Sequence, residues 1–211
     1  MNIIVLVSGG GTNLQALIDA QRAGCFSAGK ADTGEDGGGR IAAVVSDRPG
    51  VYALERARTA GIPALTEEPD KKHSKPERRK ELSDRLLNIA REYNAGLIIL
   101  AGFLSILRGK ILKEYEGRII NLHPALLPKY GGEGMYGSSV HKAVLAAGEK
   151  ESGCTVHLVD GGTDTGPVLL QRRVPVLEGD TAETLAERIH REEHIAIVEA
   201  AILMLNKLSA S

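Results

Sequence analysis

Apolar residues recur along the chain in two rhythms. Short continuous runs at 3–7, 41–45, 62–65, 97–100 and 119–122 are too brief for helices and rich in Ile, Val and Leu, the pattern of strands buried on both faces of a parallel sheet. Between them the apolar positions take helical spacing. Leu14, Leu17 and Ile18 follow Asn13; a helix over 52–60 stops at Gly61; Leu82, Leu86, Ile89 and Tyr93 mark a helix over 76–93. Further on, the pattern predicts a helix over 139–147, strands over 155–159 and 168–176, and a long helix from Ala182 to about Lys207, broken near His194. This alternation predicts one α/β domain over 1–211, Rossmann-like, with a mostly parallel twisted sheet and helices on both faces. No linker or internal repeat divides it. The stretch 29–39, polar and Gly-rich, reads as a flexible insertion.

In such sheets ligands sit beyond the carboxyl ends of the strands, which directs attention to the segments that follow them. After the first strand comes Ser8-Gly9-Gly10-Gly11-Thr12-Asn13. Bare backbone N–H groups at a helix start suit a phosphate; a tight turn with no ligand is the other reading. Leu14 stands where a dinucleotide fingerprint needs its third glycine, and no Gly-Lys-Ser/Thr follows, so neither a dehydrogenase nor a P-loop motif is present.

After the fifth strand comes Asn121-Leu122-His123-Pro124, ending in Leu126-Leu127-Pro128. Strand alternation points Asn121 and His123 to one side, and the prolines stiffen the exit. An amide beside an imidazole can hold an oxyanion and move a proton, although a structural histidine fits as well. A second Gly-rich loop, Asp160-Gly161-Gly162-Thr163-Asp164-Thr165-Gly166-Pro167, supplies carboxylates. One near His123 would fix its tautomer and raise its pKa; turn formation is the plainer role.

Composition sharpens this. The net charge is −1, and the aromatics are five Tyr, two Phe and no Trp, which argues against a basic or base-stacking nucleic-acid binder. Cys25 and Cys154 form no paired motif, and the histidines have no zinc spacing, so no metal is expected. Without a signal sequence or membrane span in the pattern, the expected compartment is the cytoplasm and the expected state a monomer or homodimer. Glycine is in excess: 25, of which 14 lie in 9–11, 34–39, 131–137 and 161–166.

Taken together, residues 7–16, 100–104, 121–130, 164–171 and 193–200 resemble the phosphoribosylglycinamide formyltransferases, over nearly the full chain. The resemblance implies transfer of a formyl group from 10-formyltetrahydrofolate to the amine of glycinamide ribonucleotide in purine synthesis. It implies Asn121, His123 and Asp164 as the catalytic trio. It implies Gly11, Thr12, Asn13, Gly102, Pro124, His190 and Glu193 on the nucleotide side. On the folate side it implies Leu104, Ser105, Ile106, Leu107, Asn121, Asp160, Gly161, Gly162, Thr163 and Asp164. Other folate-dependent formyltransferases and a formyltetrahydrofolate hydrolase share the chemistry; a nucleotide-binding dehydrogenase is the reading from another class. The chain departs from the family pattern in 29–39, in an expanded 131–137, and at Ser105, where many relatives carry Arg. The basic run 71–75 with Arg78, Arg79 and Lys80 is then a candidate partner for the anionic glutamate tail of the folate, or a solvated helix start.

Overall fold

The computed structural model describes residues 1–27, 38–70 and 72–210. All of the expected 29–39 insertion except Gly38 and Gly39, and Lys71 of the basic run, lie outside the described residues. The elements in chain order are β1 (Asn2–Val7), α1 (Thr12–Arg22), β2 (Arg40–Ser46), α2 (Tyr52–Thr59), β3 (Ala64–Thr66), α3 (Lys75–Glu92), β4 (Ala95–Leu100), α4 (Lys110–Glu114), β5 (Ile119–His123), α5 (Ser138–Ala146), β6 (Glu151–Leu158), β7 (Val168–Pro175) and α6 (Ala182–Ser209). One seven-stranded sheet has the order β3-β2-β1-β4-β5-β6-β7. The first five strands pair in parallel and the last two antiparallel. This is the expected mostly parallel α/β sheet.

Alternation along each strand divides the core into two layers. Ile3, Val5 and Val7 join Leu14, Leu17, Leu54, Ile189 and Ile197 on the face covered by α1, α2 and α6. Ile4 and Leu6 join Leu82, Leu86 and Ile111 on the face covered by α3 and α4. The order reverses direction between β1 and β4, so the crevice that binds ligands in such sheets opens at their carboxyl ends.

Two expectations need correction. The last helix is unbroken at His194: no Gly or Pro interrupts 182–209, and its buried stripe of Leu185, Ile189, Ala196, Ile197, Ala200 and Met204 continues through that position. The sixth strand begins at Glu151 rather than 155, because its polar first half pairs with β7 through Glu151↔Pro175 and Gly153↔Arg173. The short helix α4 has too few periodic residues to be seen in the pattern. Cys25 and Cys154 are free, and burial pushes the Cys154 thiol up to about 12, which leaves it inert. Among the described residues no helix is long and apolar enough to cross a membrane.

Candidate active site

A cavity of about 700 Å³ lies along the ends of β1 and β4 and the flank of β5. Strand β5 shows how it forms. Ile120 and Leu122 point into one core layer and Ile119 into the other; Asn121 and His123 share the side of Ile119 but reach the cavity wall instead. On β6, Cys154 and Val156 are in the core, so Thr155 and His157 share the opposite face. His157 is the register partner of Asn121.

The loop after β6 folds back onto this pair. Asp164 Oδ1 lies 3.5 Å from Asn121 Nδ2, and Asp164 Oδ2 lies 3.5 Å from His123 Nδ1. Asp164 itself is held at φ 58, and Tyr130 at φ 57, conformations that side chains other than glycine adopt at a cost and that gather at functional sites. The N–H of Gly132 donates to Asp164 Oδ2 at 2.9 Å. A Cβ on Gly131 would stand 2.6 Å from Leu127 Cδ2 and 3.2 Å from Asp164 Cβ, so glycine there is what admits the loop so close.

Hydrogen-bond chemistry fixes the protonation pattern. His123 Nε2 is 2.8 Å from the Tyr130 carbonyl, which only accepts, so Nε2 carries the proton and Nδ1 presents a lone pair beside Asp164. His157 Nδ1 donates to the Leu158 carbonyl at 2.8 Å; its Nε2 therefore accepts from Asn121 Nδ2 at 3.1 Å. The net shift of the His123 pKa is nevertheless downward, although Asp164 raises it as expected. Burial lowers it and outweighs the raising influence of Asp164 and the Tyr130 carbonyl, while His157 lowers it further. For Asp164, burial pushes the pKa up, but His157, 3.6 Å from Oδ1, and His123, each when it carries a proton toward the carboxylate, and the Gly132 N–H throughout, hold it below the usual carboxylate range. The centre is a neutral imidazole facing an ionised carboxylate.

The exit from β5 is pinned by residues that the sequence reading did not single out. Thr155 Oγ1 donates to the Ala125 carbonyl at 2.6 Å and accepts from Leu127 N at 3.0 Å. Gln171 Nε2 donates to the Leu127 carbonyl at 2.9 Å. On the opposite wall, Gly11 (φ 73) precedes α1, which has no side-chain cap. Ser8 Oγ accepts from Leu104 N at 2.8 Å and ties this loop to the segment after β4. Glu193, 4% exposed, accepts from Asn13 Nδ2 at 3.2 Å and lies 3.7 Å from His190 Nε2; burial pushes its pKa up. Asn13 Oδ1 and His141 Nδ1, buried on this wall, have no hydrogen-bond partner among the described residues.

Gly11, Thr12, Asn13, Gly102, Leu104, Ser105, Ile106, Leu107, Asn121, His123, Pro124, Asp160, Gly162, Thr163, Asp164, His190 and Glu193 all line the one cavity. Gly161 does not; its carbonyl accepts from Arg108 Nη1 at 3.1 Å. Asp160 serves the turn, accepting from Gly162 N at 2.9 Å and Thr165 Oγ1 at 2.7 Å. Ser105 Oγ donates to the buried Asp47 carboxylate at 2.6 Å. His157 and His141 are wall residues that the sequence reading missed; polar residues alternating with Val156 were the available sign of the former.

The chain is 43% identical to the trifunctional purine biosynthetic protein adenosine-3 of Drosophila melanogaster over 204 residues, 97% of the chain but 14% of that protein. The chain thus spans about one-seventh of the length of that relative. It is 37% identical to the phosphoribosylglycinamide formyltransferase of Escherichia coli (strain K12), with 92% of the chain and 82% of the relative covered. The crystal structure of glycinamide ribonucleotide transformylase 1 from Symbiobacterium toebii superposes with a TM-score of 0.83 at 39% identity, covering 98% of this chain and 88% of that one. Residues 1–201 match the family model described as formyl transferase, and with the fold in agreement the chain belongs to the formyl transferase family.

Proposed function

We propose that the chain transfers a formyl group from 10-formyltetrahydrofolate to the amine of glycinamide ribonucleotide, a step of purine synthesis. The observation that carries the reading is the meeting of Asn121, His123 and Asp164 on the wall that faces the uncapped start of α1. The names of the relatives support the choice of substrates.

In this reading the nucleotide phosphate sits on the N–H groups of Gly11, Thr12 and Asn13, where the helix dipole favours an anion. Gly102, Pro124, His190 and Glu193 surround the rest of it. The folate lies along Leu104–Leu107 and the 160–164 loop. The amine attacks the formyl carbon, the carbonyl π pair moves to oxygen, and a tetrahedral oxyanion forms. The Asn121 N–H that now points at Asp164 from 3.5 Å makes the looser of its two contacts and turns to the oxyanion, an interaction worth about 3–4 kcal/mol in a transition state. The attacking nitrogen, now cationic, gives its proton to the Nδ1 lone pair of His123. Asp164 stabilises the imidazolium that results. That imidazolium returns the proton to the departing folate nitrogen as the C–N bond breaks, an effect of roughly 10²–10⁴-fold. Both substrates are small molecules of the cytoplasm, and the chain acts on them as a monomer or homodimer.

The test incubates the protein with 10-formyltetrahydrofolate, with and without glycinamide ribonucleotide, and follows loss of the formyl group. Turnover that requires the nucleotide is expected. Turnover without it indicates the hydrolase, and no turnover with it overturns the reading.

A further inference from the structure

At the rim of the cavity is an ion-pair arrangement that the proposed reaction leaves unused. Lys75 and Arg79 stand four residues apart on α3, so their side chains share one helix face. Lys75 Nζ is 2.5 Å and Arg79 Nη2 2.8 Å from the same atom, Oε1 of Glu133. All three residues line the cavity. The start of α3 that presents them is fixed by a capping box, Ser74 with Glu77. Ser83 Oγ donates to the Arg79 carbonyl at 2.6 Å and accepts from Arg108 N at 2.9 Å, which ties this helix to the 104–108 segment, away from the start of α1.

Glu133 is the sole acid of 131–137 and lies between Gly132 (φ 100) and Gly134 (φ 93). Adjacent residues of this loop thus reach in two directions: Glu133 to the rim cations, and the Gly132 N–H to Asp164 at 2.9 Å. The Lys75 and Glu133 side chains are 61% and 54% exposed and that of Arg79 22%. Ion pairs whose acid is this wet hold a structure together weakly, and another anion can exchange into them. Glu133 is ionised down to about pH 2, where its two cations hold its pKa, so such an exchange moves no proton.

We propose that Glu133 is an internal stand-in for a ligand carboxylate: it occupies the Lys75–Arg79 pair in the free chain, and a carboxylate-bearing tail of the folate cosubstrate exchanges with it. The proposal rests on the folate reading above. Its consequence reaches the reacting centre. When Glu133 lets go, the neighbouring Gly132 N–H is free to leave Asp164, and the carboxylate gains basicity beside His123 once the cosubstrate tail is seated.

The test uses three probes on the full chain: γ-linked triglutamate alone, reduced folates bearing one or four glutamates, and a pteroate bearing none. Binding is measured by calorimetry for wild type, Glu133→Gln, Arg79→Ala and the double variant. An internal competitor that leaves the subsite open a tenth of the time weakens apparent affinity about tenfold. Glu133→Gln is therefore expected to tighten triglutamate and the four-glutamate folate by about that factor and to leave the pteroate unchanged. Arg79→Ala is expected to weaken the tailed probes, and Glu133→Gln to give a smaller gain on top of it, because Glu133 still pairs with Lys75 there. Unchanged or weaker binding of tailed probes to Glu133→Gln, or an equal change for the pteroate, overturns the proposal. The two readings fail separately. Formyl transfer by wild type with no Glu133→Gln effect removes only this proposal; triglutamate behaving as expected without formyl transfer removes the folate and keeps the carboxylate exchange.

Discussion

His157 Nε2 accepts from Asn121 Nδ2 at 3.1 Å, across the register pair that joins β5 to β6. With the His157 proton on Nδ1 and committed to the Leu158 carbonyl, the acceptor lone pair has one direction. It sets which face of the Asn121 amide meets the cavity. His157 thus positions the residue proposed to receive the oxyanion.

Replacing His157 by Phe keeps bulk and removes the acceptor. We expect kcat to fall by up to about 10²-fold, the scale of a small misplacement at a reacting centre, with both KM values little changed. His157→Gln, whose amide oxygen can accept in place of Nε2, is expected to recover most of the loss. Steady-state kinetics decide it: wild-type kcat in His157→Phe, or no recovery in His157→Gln, shows that His157 does not position Asn121.

This pair also marks what the chain reveals without coordinates. Apolar runs gave the sheet and its parallel half because every residue from Ile3 to Val7 is buried on one face or the other. Asn121 and His123 were legible because alternation alone puts them together. His157 was not: its relation to Asn121 depends on an antiparallel register set by long-range pairing. The carboxylate beside His123 was legible as chemistry, but the direction of the pKa shift was not, because burial is a property of the packed state and here it wins.

Asp164→Asn keeps the shape and removes the charge beside His123. The His123 pKa lies below 6.5 because burial exceeds the help it gets from Asp164. Losing that help moves it lower still. We expect the His123 imidazole to titrate below 6.5 in wild type and lower in Asp164→Asn by NMR, with kcat reduced by roughly 10²–10⁴-fold. A His123 that titrates above 6.5 in wild type contradicts the neutral-base assignment.

Stability should fall in two separate pH windows. His123 and His141 are 4% and 3% exposed, and burial holds both below 6.5; His190 and His123 add to this for His141, and His157 for His123. As pH falls below 6.5 the unfolded chain binds protons that the folded one refuses. Stability then drops, by up to about 1.4 kcal/mol per pH unit for each such group, until the folded values are reached. Asp164 has the same sign of linkage in a lower window: its depressed pKa contributes stability that is complete above 3.8 and lost as pH falls through the folded value. Urea unfolding at pH 7.5, 6.0 and 5.0 should show the first window, and His141→Leu should flatten it. An unchanged slope in that variant means His141 is not a buried neutral group.

Gly11 joins the phosphate reading to the fold. Its φ is 73, and a Cβ there would lie 2.6 Å from Ala53 Cβ and 2.8 Å from Ala53 Cα; Ala53 is fully buried in α2. Gly11→Ala therefore meets two costs: about 1–2 kcal/mol for the left-handed backbone and about 1–3 kcal/mol for overpacking. We expect a loss of roughly 2–5 kcal/mol in unfolding free energy. Because relief comes from the 9–11 backbone moving off α2, the KM for the nucleotide should rise while that for the folate stays near wild type. Ala53→Gly in the same chain removes the clash but not the backbone strain, and it adds about 1 kcal/mol of helix cost. The double variant should recover nucleotide KM more fully than stability. Equal recovery of both would place the damage in packing alone, and a Gly11→Ala protein with wild-type KM would separate this turn from the nucleotide.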